Sequence, residues 1–330
     1  MFLRSRAMLV GLVVGVPLSA AFLWLALRGV DLDAVGKVLA TADVRLVALG
    51  VLAMACVSGG QAVRWRAIAR TPSVSTARFV EMVVSAVAVN DVVPGRVGEF
   101  LRARWLALAA RIPGGRAFAT VFVDRVFDVV TLVIFLAVSL PFATSAEWLR
   151  RITVGGLVLL GLVALVLAGA RVYARRRTRE RRHENRIVRR LVRDTLEGLA
   201  EPLGRRREAA LLGISLATWS MWGLAAWLVA RSVGIELSVV DVIFVTAVIN
   251  LGVAMPSSPG FIGTYQWLGV SVLALFDVGA NQALAFAILL HAIWYVPTLL
   301  VGGTLLLRRA VLAMRVGPAV RAPLVEASDA

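Results

Sequence analysis

Apolar residues run through this chain in long continuous blocks. The clearest blocks are residues 8–28, 45–63, 117–140, 152–170, 209–230 and 281–307. Each is long enough for a helix to cross a bilayer core of about 30 Å. Two further apolar regions, 79–110 and 239–276, contain helix-breaking residues. The pattern predicts an all-α, polytopic helical membrane protein with about six full spans and two re-entrant or broken-helix hairpins, or about eight spans by hydropathy alone.

Composition indicates the same class of protein. Apolar residues make up 59% of the chain and the mean hydropathy is +0.83, which is more apolar surface than a soluble core can bury. The apolar blocks do not alternate with polar positions, which argues against a β-barrel. Cys56 is the only cysteine, so an intramolecular disulfide framework and a multi-cysteine metal site are excluded. We expect one transmembrane domain over residues 1–330 and no cofactor.

A short motif occurs once in each half of the chain, inside the two interrupted regions. The first copy reads AVAVNDVVPGRVGEFLR over 86–102, and the second reads TAVINLGVAMPSSPGFIGTYQ over 246–266. Their shared anchors are an Asn, a later Pro-Gly pair and a second Gly: Asn90, Pro94, Gly95 and Gly98, then Asn250, Pro259, Gly260 and Gly263. In lipid, a broken helix is tolerated only where protein or a water-filled cavity satisfies the freed backbone groups. Paired breaks in two halves are typical of a transport site.

The positions of basic residues predict the topology. Of the 36 basic residues, 29 lie in five segments: the N-terminus, 64–78, 94–116, 171–208 and the tail at 308–330. Only six lie in the segments left for the outside: 28–45, 141–151 and 231–240. Short cytoplasmic loops collect Arg and Lys. We therefore expect a multi-pass protein of the cell inner membrane with its N- and C-termini in the cytoplasm.

The same charge pattern predicts the path of the two interrupted regions. Segments 64–78 and 94–116 are both basic, so the stretch between them enters and leaves the membrane on one side. This makes 79–110 a re-entrant hairpin. The second region, 239–276, starts from the opposite side. Either a re-entrant hairpin or two full crossings would return the chain to its basic tail.

The spans that precede the two motif copies also match. Trp65 and Arg70 close the first of these spans, and Trp227 and Arg231 close the second. One span runs inward and the other runs outward, which is typical of an inverted-topology repeat. We expect two repeat cores that meet near the bilayer midplane: residues 45–110 and 209–276.

Charged residues in the predicted membrane region carry the candidate chemistry. A charge at membrane depth costs at least about 2.5 kcal/mol, so it needs a partner or a wet cavity. Glu99 and Arg102 lie on one helical face just after the first tip. Asp124 and Asp128 share a face of the next span, and Arg125 lies beside them. Arg102 or Arg125 is suited to bind a phosphate with two parallel hydrogen bonds. An internal salt-bridge network that fastens the hairpin to the span is an equal alternative.

The hairpin tips offer neutral groups for the same ligand. Glycine lets main-chain amides approach a headgroup closely, and a helix N-terminus directs positive partial charge at an anion. Asn90 and Asn250 are candidates to donate hydrogen bonds to that headgroup or to satisfy the broken backbone. His291 lies among aromatic residues of the last span, and we assign it no function.

Segment 171–208 is a strongly basic cytoplasmic linker. It holds fourteen arginines against six acidic residues, and its apolar residues recur at helical spacing: Ile187, Val188, Leu191, Val192, Leu196 and Leu199. A basic amphipathic helix is attracted to anionic headgroups of the inner leaflet. We expect this surface role, or a patch that gathers lipid for a transport cavity, and no binding of nucleic acid.

The order of the motifs resembles the flippase-like transmembrane domain of lysylphosphatidylglycerol synthases, and in particular its stand-alone members. The resemblance rests on three groups of residues: Asn90 with Pro94-Gly95-Arg96-Val97-Gly98-Glu99 and Arg102, Asp124-Arg125 with Asp128, and Met255-Pro256 with Pro259-Gly260-Phe261-Ile262-Gly263-Thr264-Tyr265. It implies movement of a lipid or lipid-linked molecule between leaflets. Family members often have Pro-Gly-Gly and a closing Glu, where this chain has Phe261 and Gln266, so the second copy lacks the family's carboxylate.

These observations predict translocation of an anionic phospholipid or polyprenyl-linked lipid through a polar midplane site, without enzymatic activity. The candidate transport residues are Asn90, Pro94, Gly95, Gly98, Glu99, Arg102, Asp124, Arg125, Asp128, Asn250, Pro259, Gly260, Gly263 and Tyr265. One alternative is a membrane-embedded enzyme that modifies lipid headgroups, with Glu99, Asp124 or Asp128 as acid and base. Another is a noncatalytic partner of a lipid-biosynthesis enzyme. The expected partners are membrane lipids and, in the last case, that enzyme.

Overall fold

The described part of the chain is helical throughout its regular elements. A computed structural model describes residues 16–93, 95–139, 187–200, 204–253 and 258–315, and four separate helical positions at Gly161, Leu165, Gly169 and Val172. The helices are α1 Val16–Leu27, α2 Leu32–Ala40, α3 Val44–Ala69, α4 Thr76–Val92, α5 Val97–Ala110, α6 Gly114–Ser139, α7 Ile187–Ala200, α8 Arg205–Ser232, α9 Val239–Gly252, α10 Thr264–Leu273 and α11 Ala280–Arg315, with 3-10 turns at Pro259–Phe261 and Ala274–Phe276. Most of the predicted span 152–170, and motif residues Pro94, Met255 and Pro256, lie outside the described residues.

Several helices have the length and apolar character of membrane spans. Four stretches of the described chain are long and apolar enough to cross a bilayer: Val44–Ala69, Arg205–Ser232, Pro259–Phe276 and Ala280–Val311. With 26 residues, α6 extends for about 39 Å at 1.5 Å per residue, although charged residues interrupt its apolar sequence. By contrast, α4, α5 and α9 reach at most about 26 Å. The prediction of an all-α, multi-pass membrane protein is confirmed.

The helix α3 is longer than the apolar block that predicts it. It begins after Asp43, whose carboxylate accepts hydrogen bonds from two backbone N–H groups of the first turn, and it ends at Arg70 in the left-handed conformation. The sequence analysis ends this span at residue 63 and assigns Arg64 to a cytoplasmic loop. That assignment is wrong. Arg64 and Trp65 are both fully buried, so the helix continues through them into the protein interior.

Most of the basic segments meet at one end of the bundle, which we call the basic end. Arg309, near the end of α11, forms an ion pair with Glu81 near the start of α4, with a 2.7 Å N–O distance. The same guanidinium lies 4.4 Å from the ring centre of Trp105, near the end of α5. Arg207 at the start of α8 donates a hydrogen bond to the carbonyl of Ala67 near the end of α3, at 2.5 Å. The start of α4 and the end of α5 therefore lie together.

The far end of the bundle brings together the opposite ends of the long helices. The backbone N–H of Asp43, before α3, donates to the carbonyl of Ser232 at the end of α8, at 3.0 Å. The side-chain amide of Gln282, at the start of α11, contacts the carbonyl of Val233 at 3.5 Å. Helices α3, α8 and α11 thus connect the two ends. The largest apolar cluster of the described residues fills the space around them.

Two hairpins of shorter helices approach each other from these two ends. The first consists of α4 and α5, which begin and finish at the basic end. The second consists of α9 and α10, which begin and finish at the far end, because Phe244 in α9 packs edge to face with Phe276 just after α10, at 5.9 Å between ring centres. The tips meet inside the bundle, where Arg96 of the first donates a hydrogen bond to the carbonyl of Val253 in the second, at 3.1 Å.

Residues Ile187–Ala200 of the basic linker form the amphipathic helix α7, as their periodicity predicts. Leu199 packs against Ala119 of α6 in a small apolar cluster. The two backbones lie so close that a Cβ at Gly115 would collide with the carbonyl oxygen of Leu191. Leu191 and Val192 remain about half exposed. Part of the apolar face of α7 is therefore left for contact with the inner leaflet, a role that stays a prediction.

Candidate functional site

Six charged side chains form a cluster inside the bundle, between α3, α5 and α6. At its centre, Arg64 of α3 donates from Nε to Asp124 at 2.8 Å and from one Nη to Asp128 at 2.7 Å, both on α6. Its other Nη donates to the hydroxyl of Ser215 on α8, at 2.6 Å. Arg64 and Asp124 have no exposed surface. The predicted shared face of Asp124 and Asp128 is present, because one guanidinium binds both.

Arg102 and Glu99 of α5 extend the cluster toward the first hairpin. Nε of Arg102 donates to Glu99 at 2.7 Å, and one Nη donates to Asp124 at 3.2 Å. The guanidinium also lies 4.8 Å from the ring centre of Trp65 on α3. Arg102 is only 2% exposed. Its contacts correspond to the salt-bridge network that the sequence leaves as an alternative, because they fasten the hairpin to α3 and α6.

Arg125 of α6 is the most exposed arginine of the cluster. It pairs with Asp128 at 2.9 Å, with Asp124 at 3.1 Å and more distantly with Glu99 at 4.0 Å. Its side chain nevertheless keeps 35% of its surface exposed. Arg125 is therefore already oriented by carboxylates and still has room to contact a ligand.

A cavity of about 250 Å³, lined by both charged and apolar side chains, lies between the cluster and the two hairpin tips. Of the predicted site residues, seven line it: Asn90, Glu99, Arg102, Arg125, Asp128, Asn250 and Tyr265. Asp124 lies behind this surface, fully buried. Arg96, between the motif's Gly95 and Gly98, also lines the cavity. Residues that are distant in sequence and belong to both motif copies thus share one cavity.

The first tip is closed by its own motif residues. The side-chain carbonyl of Asn90 accepts a hydrogen bond from the backbone N–H of Gly98 at 2.7 Å, which satisfies the broken backbone. Gly95 has a φ of +85°, in the left-handed region. A Cβ at Gly98 would collide with the carbonyl of Ala86. Pro94 lies outside the described residues.

The second tip has the same need for glycine. Pro259 and Gly260 form a 3-10 turn in which Gly260 has a φ of +66°. A Cβ there would lie 3.1 Å from the carbonyl oxygen of Asp91 in the first hairpin. Gly263 has a φ of +89°, and its Cβ would collide with the backbone of Ser19 in α1. These glycines let the second tip pack closely against two other helices.

Side chains near the second tip are polar but neutral. The amide nitrogen of Asn250 donates to the carbonyl of Thr246 at 2.8 Å, so this Asn also satisfies the backbone. Gln266 accepts from the N–H three residues earlier at 2.7 Å, and its amide nitrogen lies 3.1 Å from Nδ1 of His291. Tyr265 stacks on the His291 ring with 4.5 Å between centres. Gln266 thus helps fold the tip, in the place where the family often has a carboxylate.

The spans that precede the two motif copies end with matching residues, Trp65 and Arg70 in the first and Trp227 and Arg231 in the second. These residues make different contacts. The guanidinium of Arg231 lies 5.6 Å from the ring centre of Trp227. Trp65 instead lies beside Arg102, and its indole N–H donates to the hydroxyl of Thr120 at 2.9 Å. Their correspondence is one of sequence position and not of local contacts.

Sequence reasoning misses two buried charged residues. Arg64 is hidden because an apolar window ends at the first charge, although Trp65 and later apolar residues continue the helix. Asp91 directly follows Asn90 and is only 3% exposed. The hydroxyl of Thr298 on α11 donates to its carboxylate at 3.1 Å. The position of Asp91 beside the motif residue Asn90, within an apolar region, is the sequence feature that could have predicted its burial.

A bundle of helices long and apolar enough to cross a bilayer, with a charged cluster beside an internal cavity, is typical of a multi-pass membrane protein. The profile of the lysylphosphatidylglycerol synthase transmembrane region matches residues 8–302, and the chain belongs to this family. The resemblance inferred from the motifs is confirmed.

Relatives of the chain match between 65% and 90% of its residues. A UPF0104 membrane protein of Pyrococcus horikoshii is 27% identical over 90% of this chain and 96% of that protein. Another, of Methanocaldococcus jannaschii, is 23% identical over 65% of this chain and 91% of that protein. The glycosyltransferase AglD of Haloferax volcanii is 26% identical over 89% of this chain, but the match covers only 53% of AglD. The chain therefore spans about half the length of AglD.

Proposed function

We propose that this protein moves an anionic phospholipid or polyprenyl-linked lipid between the two leaflets of its membrane. The observation that carries the proposal is Arg125, which lines the internal cavity, is held by carboxylates and keeps 35% of its side-chain surface exposed. A guanidinium binds phosphate oxygens with two parallel hydrogen bonds. Arg96 and Arg102 line the same cavity. The three arginines offer a phosphate headgroup a polar site inside an otherwise apolar bundle.

The two hairpins give this site its position in the membrane. We infer that both are re-entrant, because each begins and finishes at one end of the bundle and their tips touch through Arg96 and Val253. The helices α4, α5, α9 and α10 are also shorter than a bilayer core of about 30 Å, and the stretch Pro259–Phe276 reaches 18 residues only by including the 3-10 turns on both sides of α10. The halves then form an inverted repeat whose tips meet near the midplane, as in transporters that alternate access.

The basic end supports an orientation. Arg78, Arg309 and Arg207 all lie there, at the ends of three different helices. Because cytoplasmic loops of membrane proteins collect arginine and lysine, this end faces the cytoplasm and carries the C-terminal end of α11. The N-terminus is also cytoplasmic in this proposal, and the membrane is the cell inner membrane.

A second candidate is a role in lipid modification. AglD is named a glycosyltransferase, and its match with this chain covers about half of AglD. This supports a membrane domain that serves a lipid-modifying enzyme as a noncatalytic partner, or one that modifies headgroups itself with Glu99 or Asp128 as acid and base. In the described part of the chain, no group of three or more His, Cys, Asp or Glu is placed to hold a metal ion.

Reconstitution in liposomes separates these functions. Purified protein is mixed with headgroup-labelled anionic phospholipid or prenyl phosphate, and both leaflet exchange and lipid mass are measured. Transport predicts that the lipid exchanges between leaflets while its molecular mass stays constant. This exchange should be slower in Arg125→Gln. It should be unchanged in the control Arg45→Gln, which alters an exposed arginine at the start of α3. A change in lipid mass would identify an enzyme instead. Absence of both exchange and conversion would leave the partner role.

A further inference from the structure

Asp91 is a buried carboxylate that the proposed phosphate site does not use. It lies near the end of α4, lines the cavity and is only 3% exposed. Among the residues that the structure describes, the hydroxyl of Thr298 is its one side-chain hydrogen-bond partner, at 3.1 Å from Oδ2, and the same hydroxyl lies 2.8 Å from the carbonyl of Trp294. No ion pair in the described part of the chain includes it, whereas Asp124 and Asp128 each bind arginines.

Titratable groups surround Asp91, but none of those in the described ranges forms an ion pair with its carboxylate. Tyr295 of α11 points its hydroxyl at the backbone carbonyl of Asp91, at 3.5 Å, and not at the carboxylate. Arg96 of the same hairpin directs one Nη to the carbonyl of Val253. The other titratable residues that line this cavity are Glu99, Arg102, Arg125, Asp128, Tyr265 and His291. From the second tip, Gly260 presents only backbone to it.

A carboxylate in this setting has two states of very different cost. Ionised, it is removed from water without a cation, which is far more costly than burial in an arginine cage. Protonated, it is neutral, and its O–H group can donate a hydrogen bond while its other oxygen still accepts one. Intramembrane carboxylates in such positions mark proton pathways.

The charge of the site changes with the state of Asp91. Around the cavity, four arginines face three carboxylates other than Asp91: Arg64, Arg96, Arg102 and Arg125 against Glu99, Asp124 and Asp128. With Asp91 protonated, these groups leave one net positive charge. With Asp91 ionised, they sum to zero. Uptake of a proton therefore favours entry of a singly charged anion, and loss of the proton favours its release.

We propose that Asp91 is the proton-binding site that couples lipid movement to a pH gradient, with one proton carried alongside each anionic headgroup. This inference rests on the proposed lipid transport. A water molecule of the cavity delivers the proton from one side, an O–H bond forms at the Asp91 carboxylate, and that bond breaks when the proton passes to water on the other side. No other covalent bond changes. A monoanionic lipid and its proton then move together without net charge.

A gradient assay in liposomes tests the coupling. Leaflet exchange of a labelled anionic phospholipid is measured at zero membrane potential, with and without a pH gradient. For the wild-type protein we expect movement away from the acidic side to be accelerated several-fold. In Asp91→Asn the ratio of the two rates falls to one, and in Asp91→Glu the response returns. The matched control is Asp277→Asn, an exposed carboxylate at the far end, which responds like the wild-type protein.

The outcomes distinguish this inference from the function on which it rests. If the rate of leaflet exchange in the wild-type protein is the same with and without the pH gradient, the proposed coupling is wrong, but the proposal of lipid transport stands. A full response in Asp91→Asn, or a response to a sodium gradient at fixed pH, would overturn the coupling equally. If the wild-type protein moved none of the lipids, the transport proposal would fail, and with it the coupling.

Proton binding at Asp91 has its own readout, independent of transport. A hydrophobic carbodiimide reacts with a protonated carboxyl in apolar surroundings and leaves a stable adduct. Mass spectrometry of the folded protein across a pH series should locate the adduct at Asp91, decreasing as the pH rises and absent in Asp91→Asn. Asp124 and Asp128 should stay unmodified, because arginines already contact both carboxylates. Failure to modify Asp91 at any pH would overturn the assignment.

Discussion

The backbone N–H of Gly98 donates a hydrogen bond to the side-chain carbonyl of Asn90, with 2.7 Å between the two atoms. Through this bond, two anchors of the first motif copy act on each other. The Asn supplies an acceptor where the helix is broken, and the Gly allows the helix after the break to approach the helix before it. The motif is therefore first a device for folding the tip, and the cavity is a result of that fold.

Gly98→Ala should destabilise the first hairpin. A Cβ at this position would collide with the carbonyl of Ala86, and overpacking of this kind costs about 1–3 kcal/mol. We expect a lower unfolding temperature in detergent. Gly59→Ala in α3 is the control, because no atom lies within 4 Å of its added Cβ. Equal unfolding temperatures for the two variants would contradict the close approach of α4 and α5.

Arg64→Ala should destabilise the protein more than any other single change in the cluster. It leaves Asp124 and Asp128 without their shared guanidinium, and breaking a buried ion pair costs about 3–5 kcal/mol. Thermal unfolding in detergent measures the loss. Arg45→Ala removes an exposed arginine of the same helix and should change little. A stable Arg64→Ala variant would show that the cluster is not needed for the fold.

Glu99→Gln should slow lipid movement, because the arginines beside it would bind the headgroup more tightly and release it more slowly. Glu99 pairs with Arg102 at 2.7 Å and with Arg125 at 4.0 Å, so its neutralisation leaves both arginines with more positive potential. We expect a lower maximal rate of leaflet exchange together with a lower half-saturating lipid concentration. Arg102 keeps Asp124 as a partner, so stability should fall less than in Arg64→Ala. An unchanged half-saturating concentration would separate Glu99 from headgroup binding.

Cysteine labelling should place Arg78 and Arg111 on the same side of the membrane. With Cys56 replaced by Ser, single cysteines at the two positions flank the first hairpin and should both react with an impermeant reagent added to the cytoplasmic face. A cysteine at Arg231, at the far end, should react only from outside. Labelling of Arg78 and Arg111 from opposite faces would mean that α4 and α5 together cross the bilayer.

Local spacing explains why part of the site is predictable from the sequence. The pair Glu99 and Arg102 follows from i, i+3 geometry on one helix, and the shared face of Asp124 and Asp128 follows from i, i+4 geometry. Arg64, the common partner of Asp124 and Asp128, cannot be predicted from local spacing, because it belongs to another helix. It also lies beyond the residue at which a hydropathy window ends that span. Tertiary packing decides which carboxylates receive an arginine from another helix.

Asp91 illustrates the same limit from the opposite direction. Asp91 and Asp124 both lie within largely apolar helical segments, so hydropathy does not show which of the two carboxylates is surrounded by arginines. The difference arises because α4 meets α11 through Thr298, whereas α6 meets α3 through Arg64. The class of all-helical, multi-pass membrane protein was more accessible, because it depends on hydropathy over whole segments and not on a single contact.

The neutral character of the second hairpin has a practical consequence for altering selectivity. Its cavity-lining side chains carry no formal charge: Asn250, Leu251, Val253, Phe261 and Tyr265. The polar ones near the tip, Asn250 and Gln266, form hydrogen bonds with nearby backbone groups. Libraries of variants at Leu251 and Phe261 would therefore change the shape of the cavity without changing the net charge of the residues around it. An engineered carrier with a new cargo size should start from this half.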